Sequence, residues 1–72
     1  MKLTEAQTNI LRRGIVLDGL GGFCALTSSE YRCCERLRAR RQLKLWNGQR
    51  TKRWQNQFFA ITATGRAALA GE

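Results

Sequence analysis

Residues 28–41 read SSEYRCCERLRARR, and this stretch has the residue spacing of a two-sided basic helix. At about 100° per residue, one narrow face of that helix carries four polar residues, namely Ser29, Arg32, Arg36 and Arg40. The other side carries less polar side chains, namely Tyr31, Cys33, Cys34 and Leu37. The pattern predicts a helix that packs through one face and presents the other to a partner.

Positive charge is concentrated in the second half of the chain. The protein has 13 Lys and Arg residues against 5 Asp and Glu residues, a net charge of +8 and a pI near 10.8. Residues 36–66 contain nine of the basic residues and no acidic one. Because neutralising phosphates releases condensed counterions, this clustering favours a polyanionic partner. A solvated basic surface that only aids solubility is the alternative.

The length of 72 residues predicts one small domain, residues 1–72, with a single thin core. The hydrophobic fraction of 43% and the charged fraction of 25% are those of a folded protein rather than of a disordered basic tail. A core of this size gives marginal stability. We therefore expect a homodimer or a protein that packs on a partner.

The cysteines argue against metal and disulfide chemistry. Cys24, Cys33 and Cys34 are three in number, histidine is absent and no CxxC spacing occurs, so one chain can build neither a closed disulfide set nor a zinc site. We expect no metal and no cofactor. Free cysteines fit a reducing compartment, no apolar run approaches the ~20 residues of a membrane span, and the N-terminus has no signal-peptide pattern. A cytoplasmic protein without a membrane partner is expected.

The N-terminal residues predict a helix that begins after Thr4. Thr4 can cap this helix and Gln7 can complete a capping box, while Glu5 suits the positive end of the helix dipole. The helix is expected to run through Ile10, Leu11 and Ile15 and to reach Leu17. Glycines at 19, 21 and 22 end it, since glycine pairs favour turns.

Residues 23–26, FCAL, predict a short strand at the edge of a sheet. The basic helix follows, capped by Thr27, Ser28 or Ser29, and is expected to end near Arg41 or Gln42.

Residues 43–46, LKLW, and 57–62, QFFAIT, predict the two strands of a hairpin. Asn47 and Gly48 are typical of a tight two-residue turn, but the strands match better if residues 47–56 form a longer loop. That loop projects three cations, namely Arg50, Lys52 and Arg53. Trp54 packs under the loop or stacks on a base. A final short helix is capped by Thr62 and stopped by Gly71.

The segments FFAITATGRAAL, residues 58–69, and LTEAQTNIL, residues 3–11, resemble parts of MarR-like and PadR-like regulators. In those proteins an aromatic residue, Ile or Leu, Thr, two variable residues and Gly-Arg precede an apolar pair. The resemblance implies an α+β fold, a small winged helix: helix, short strand, basic recognition-type helix, two-stranded β-hairpin wing and short C-terminal helix. One departure stands out, because residues 22–42 have room for one good helix where that family has two.

The resemblance also implies a DNA-binding site. Ser28, Ser29 and Arg32 lie nearest the base edges in the major groove, with Arg36 and Arg40 further along the helix. The wing contacts phosphates through Arg50, Lys52 and Arg53. Structural roles are expected for Thr62, Gly65 and Arg66 (a cap, a close-packing point and a tether). Arg38 and Arg41 lie toward the apolar side of the helix and are not assigned to the site.

Two functions follow from these observations. The first is a small DNA-binding protein, a transcriptional regulator that binds double-stranded DNA as a homodimer and recognises a palindromic site. The second is a phage or mobile-element protein of winged-helix shape that inhibits a host protein or nucleic-acid complex and contacts an acidic host protein. An enzyme is not expected, because the chain has no histidine, one aspartate and no paired carboxylates. Cys33 and Cys34 have either a lowered thiol pKa beside Arg32 and Arg36 or, in the favoured interpretation, a place in the core.

Overall fold

A computed structural model of the chain describes residues 3–17, 22–46 and 51–71. The helices are α1 (Glu5–Val16), α2 (Ser28–Ala39) and α3 (Ala63–Ala70). The strands are β1 (Phe23–Cys24), β2 (Leu43–Leu45) and β3 (Phe58–Ile61), and a 3-10 turn spans Trp54–Asn56. The strands form one antiparallel sheet of order β1-β3-β2. The predicted α+β class is confirmed.

Helix α1 begins with the predicted capping box. The main-chain N–H of Gln7 donates to Thr4 Oγ1 at 3.1 Å, and the main-chain N–H of Thr4 donates to Gln7 Oε1 at 3.0 Å. These reciprocal bonds satisfy two donors that the first helical turn leaves without an intrahelical partner.

Helix α1 contains Ile10, Leu11 and Ile15, as predicted, and ends at Val16, one residue before Leu17. Ile10 and Leu11 are buried, whereas the Ile15 side chain is 40% exposed. Gly14 occupies the position that faces the sheet. A Cβ at Gly14 would lie 3.1 Å from Phe23 Cε1 and 3.2 Å from Ile61 Cβ, so α1 approaches the sheet through a residue without a side chain.

The strand predicted for residues 23–26 is confirmed only for Phe23–Cys24. Leu26 is 72% exposed and belongs to the connection to α2. Thr27 caps that helix, because its Oγ1 accepts the main-chain N–H of Glu30 at 3.1 Å.

Helix α2 ends at Ala39, before the predicted end near Arg41 or Gln42. Arg41 has a φ of 63°, in the left-handed region that favours glycine. The N–H of Gln42 donates to the carbonyl of Leu37 and the N–H of Arg41 donates to the carbonyl of Arg38, both at 2.9 Å. These two bonds form a Schellman motif with arginine in the place of the usual glycine.

The hairpin follows the long-loop alternative. Leu43 pairs with Ile61 and Leu45 pairs with Phe59, so the connection extends well beyond a two-residue turn. The tight turn proposed at residues 47–48 lies outside the described residues, as do the glycines at 19 and 21.

The core lies between the helices and one face of the sheet. Its fully buried side chains are Phe59, Leu11, Leu37, Leu43 and Cys34. Helix α3 closes this core after the predicted cap, in which Thr62 Oγ1 accepts the main-chain N–H of Gly65 at 3.1 Å. It ends at Ala70, and Gly71 is its C-cap. In the part of the chain that the structure describes, no helix is long and apolar enough to span a bilayer.

Candidate nucleic-acid interface

The outer face of α2 is a row of exposed polar residues. Cys34 and Leu37 are 0% exposed and fix the buried side of the helix. The opposite side presents the residues predicted for DNA contact, all of them exposed: Ser28, Ser29, Arg32, Arg36 and Arg40. The structure therefore places these five predicted residues on the solvent side of a single helix.

The arginines of this face are available for a partner. Within residues 3–17, 22–46 and 51–71, Arg32, Arg36 and Arg40 form no ion pair with a carboxylate. Arg32 and Arg36 are one helical turn apart, and Arg40 follows in the C-cap position of α2. Like charges at this spacing repel one another, so the row favours an anionic partner over an empty surface.

Arg38 lies on another side of α2 and is ion-paired. Its Nε donates to Glu35 Oε2 at 2.8 Å, and the Tyr31 hydroxyl donates to Glu35 Oε1 at 2.7 Å. This chain of hydrogen bonds fixes the Tyr31 ring beside the core, where its centroid is 6.1 Å from that of Phe59.

The β2–β3 loop packs on α2 through Trp54. The Trp54 and Tyr31 ring centroids are 5.9 Å apart, and the half-buried Trp54 contacts the core. This geometry confirms the packing interpretation of Trp54. Because Tyr31 is in the first turns of α2, the contact brings the base of the loop beside the N-terminal half of that helix.

The described part of the loop carries two of its three predicted cations. Lys52 and Arg53 are exposed, whereas Arg50 lies outside the described residues. The buried amide of Gln57 anchors this segment: its Oε1 accepts the N–H of Thr51 at 3.1 Å, and its Nε2 donates to the carbonyl of Phe58 at 3.0 Å. The exposed cations therefore project from a segment that has a hydrogen-bonded base.

An ion pair that the sequence did not predict holds α1 against α2. Arg13 Nη2 donates to Glu30 Oε1 at 2.7 Å, the N–H of Leu26 donates to the same oxygen at 3.0 Å, and the Arg13 guanidinium lies 5.3 Å from the Phe23 ring centroid. The hydrogen bond from Arg13 and then that from Leu26 lower the pKa of Glu30. Glu30 also lies in the first turn of α2, where a carboxylate suits the positive end of the helix dipole.

The surroundings of Cys33 and Cys34 disfavour the reactive thiolate form. Burial raises the pKa of the Cys34 thiol to about 12 and also raises the pKa of Cys33. The alternative of a lowered thiol pKa beside Arg32 and Arg36 is therefore wrong, and the core interpretation is confirmed for Cys34. The described residues contain no group of three His, Cys, Asp or Glu side chains arranged to bind a metal ion.

No protein-family model, curated protein or solved structure matches this chain. We therefore infer its function from the geometry of the described residues.

Proposed function

We propose that this protein is a small DNA-binding protein, a transcriptional regulator that acts as a homodimer and uses a reduced winged-helix fold. The observation that carries the proposal is the exposed row of arginines on α2, directly opposite the buried Cys34 and Leu37. In this proposal α2 enters the major groove of double-stranded DNA and the β2–β3 loop acts as a wing on the backbone.

The order of the elements supports the winged-helix assignment. Strand β1 pairs with β3 across the sheet, and a basic helix precedes the hairpin, as the resemblance implies. The cap at Thr27 follows β1 closely, so the described residues between β1 and β2 contain α2 alone. We infer that α1 takes over the positioning role of the missing helix, because the Arg13–Glu30 ion pair ties it to the first turn of α2.

The side chains of α2 suit direct readout. Arg32 and Arg36 can each donate two hydrogen bonds to guanine O6 and N7, an interaction that typically discriminates by about 1–3 kcal/mol per base. Ser28 and Ser29 lie at the N-terminus of the helix. Because their hydroxyl side chains are short, this end of the helix can come close to the bases in the groove. Lys52 and Arg53, together with Arg50, would contact phosphates and set position rather than sequence.

Exposed apolar side chains support association with a second protein surface. Val16 is 74% exposed, Leu26 is 72% exposed and Phe58 is 43% exposed. In the homodimer a second copy covers some of these side chains. The same side chains favour the second candidate function, a phage or mobile-element protein that uses its basic winged-helix shape to inhibit a host complex through an acidic host protein.

The test is fluorescence anisotropy with a labelled mixed-sequence duplex across a salt series. We expect the logarithm of affinity to fall with the logarithm of salt concentration by about 0.9 per phosphate contacted. Arg36→Ala and the triple change of Arg50, Lys52 and Arg53 to Ala should each weaken binding, and the triple variant should flatten the slope. Arg12→Ala, a charge change on the exposed side of α1, is the matched control. Absence of duplex binding at low salt would exclude the regulator and leave the inhibitor.

A further inference from the structure

A second basic surface lies at the C-terminal end of α2, on a different side of the helix from Arg32 and Arg36. It is a shallow depression with six lining residues: Arg38, Arg41, Leu43, Lys44, Leu45 and Thr62. Arg38 is two residues from Arg36, a rotation of about 200° on a helix, so the depression opens on a different side of α2 from the arginine row. Neither Arg38 nor Arg41 belongs to the DNA-binding face described above.

The depression has an excess of positive charge. Arg38 is paired with Glu35 at 2.8 Å, but Arg41 and Lys44 are exposed and form no ion pair within the described residues. Within the described residues β2 is an edge strand, so alternate main-chain N–H groups of this strand point away from β3. Cationic side chains and amide donors together are the groups that bind phosphate oxygens.

The backbone of Arg41 supplies an independent reason to assign a function here. Its φ of 63° and the two Schellman hydrogen bonds define a position where glycine is the least strained residue. An arginine at this position retains a charge at the expense of backbone strain. Strain of this kind is typical of ligand-binding positions.

We propose that this depression is a second phosphate-binding site, which takes a backbone phosphate of a nucleic-acid strand through Arg41, Lys44 and the outer edge of β2. The assignment of the ligand as a nucleic acid rests on the proposed function. The assignment of a phosphate group as the bound group rests on the residues of the depression. A strand bound here would pass the C-terminal end of α2, on a different side of the helix from the arginine row.

The first experiment compares Arg41→Gly and Lys44→Gln with the control Arg12→Gln in the duplex salt series. Each of the two site variants should weaken binding to all sequences alike and make the log-log salt slope shallower by about 1, while the control keeps the wild-type slope. Arg41→Gly should also raise the midpoint of thermal unfolding, so that its weaker binding cannot come from unfolding. Wild-type slopes in both site variants, with duplex binding intact, would overturn this site and leave the proposed function standing.

The second experiment separates the two proposals if the wild-type protein does not bind duplex DNA. Inorganic tripolyphosphate is titrated into the ¹⁵N-labelled protein, and we expect the largest amide shifts at residues 41–45, with loss of these shifts in Arg41→Gly. Shifts confined to the arginine row and the β2–β3 loop would overturn the site. A parallel titration uses polyglutamate as a model of an acidic protein. If polyglutamate causes larger amide shifts at residues 41–45 than tripolyphosphate does, the phosphate assignment is overturned in favour of an acidic protein.

Discussion

The Thr62 hydroxyl donates a hydrogen bond of 2.6 Å to the main-chain carbonyl of Arg41, 21 residues earlier in the chain. The same oxygen accepts the N–H of Gly65 at 3.1 Å and so caps α3. The main-chain N–H of Thr62 donates to the carbonyl of Gln42 at 3.2 Å. One residue therefore joins the end of α2, which carries the arginine row, to the start of α3.

Thr62→Val should destabilise the fold by about 2 kcal/mol. The change keeps the shape of the side chain but removes the α3 cap and leaves the Arg41 carbonyl without this donor. Urea denaturation followed by circular dichroism measures the difference. Thr62→Ser is the control, because it keeps the hydroxyl and should retain most of the stability. A larger loss in Thr62→Ser than in Thr62→Val would show that the methyl group, not the hydroxyl, is the stabilising part.

Gly65→Ala should destabilise the protein by at least about 1 kcal/mol, even though alanine is the better helix former. A Cβ at Gly65 would overlap the main-chain carbonyl oxygen of Gln42 and would press on Ile61 Cγ1 at 2.9 Å. The Gln42 carbonyl cannot move away easily because it accepts the N–H of Thr62. Thermal unfolding measures the effect. Thr64→Ala, at the exposed neighbouring helix position, should instead be neutral or slightly stabilising, and a loss there would contradict the steric explanation.

Stability should fall at acid pH through the Glu30 carboxylate. Its pKa is lower in the folded protein than in the unfolded chain, so its contribution is present above the unfolded pKa and is lost as the pH falls through the folded pKa. The loss should therefore begin below roughly pH 5, near the ordinary glutamate pKa. Denaturation midpoints across the acid range measure it.

Glu30→Gln should be less stable than the wild type at neutral pH, and its stability should vary less with pH in the acid range. Glu5→Gln, the same change at an exposed residue in the first turn of α1, is the control and should leave the acid dependence in place. A Glu30→Gln variant with the full wild-type acid dependence would assign that dependence to another carboxylate.

Trp54→Ala should weaken duplex binding without removing a charge. The Trp54 and Tyr31 rings hold the base of the loop against α2 at a centroid distance of 5.9 Å, and such pairs contribute about 0.5–1.5 kcal/mol beyond their buried area. Without this contact Lys52 and Arg53 lose their position relative to the helix. Trp54→Phe, which retains an aromatic ring, should bind nearly as well as the wild type.

A double-mutant cycle in the same binding assay tests the coupling. The variant that combines Trp54→Ala with Lys52→Ala and Arg53→Ala should bind only slightly less well than the variant that carries Lys52→Ala and Arg53→Ala alone. Fully additive losses would mean that Trp54 contributes to binding independently of the loop.

Local patterns in the sequence predicted the local parts of the structure. The Thr4 and Gln7 capping box, the cap at Thr62 and the strand predicted from the β-favouring residues 57–62 involve residues close in the chain, and all three appear in the structure. The exposed row on α2 also followed from helical spacing, because Cys34 and Leu37 leave only one orientation for that helix.

Local sequence patterns could not predict contacts between segments that are distant in the chain. The Arg13–Glu30 ion pair joins residues 17 positions apart, and nothing in the spacing of either residue indicates it. The close approach of Gly14 to Phe23 requires the packed sheet. The depression at Arg41 depends in turn on how α2 ends, where an arginine adopts a conformation typical of glycine.

Cys34 makes the opening of this small protein measurable in real time. Its side chain is 0% exposed and burial raises its thiol pKa to about 12, so an alkylating reagent can react only with molecules in which the core has opened. Cys24 and Cys33 are only half-buried and should react first. When closing is faster than alkylation, the rate at Cys34 divided by the rate of a free thiol gives the fraction of open molecules. Alkylation of Cys34 in the native chain therefore reports the fraction of open molecules. A ligand that binds only the folded protein should slow this alkylation.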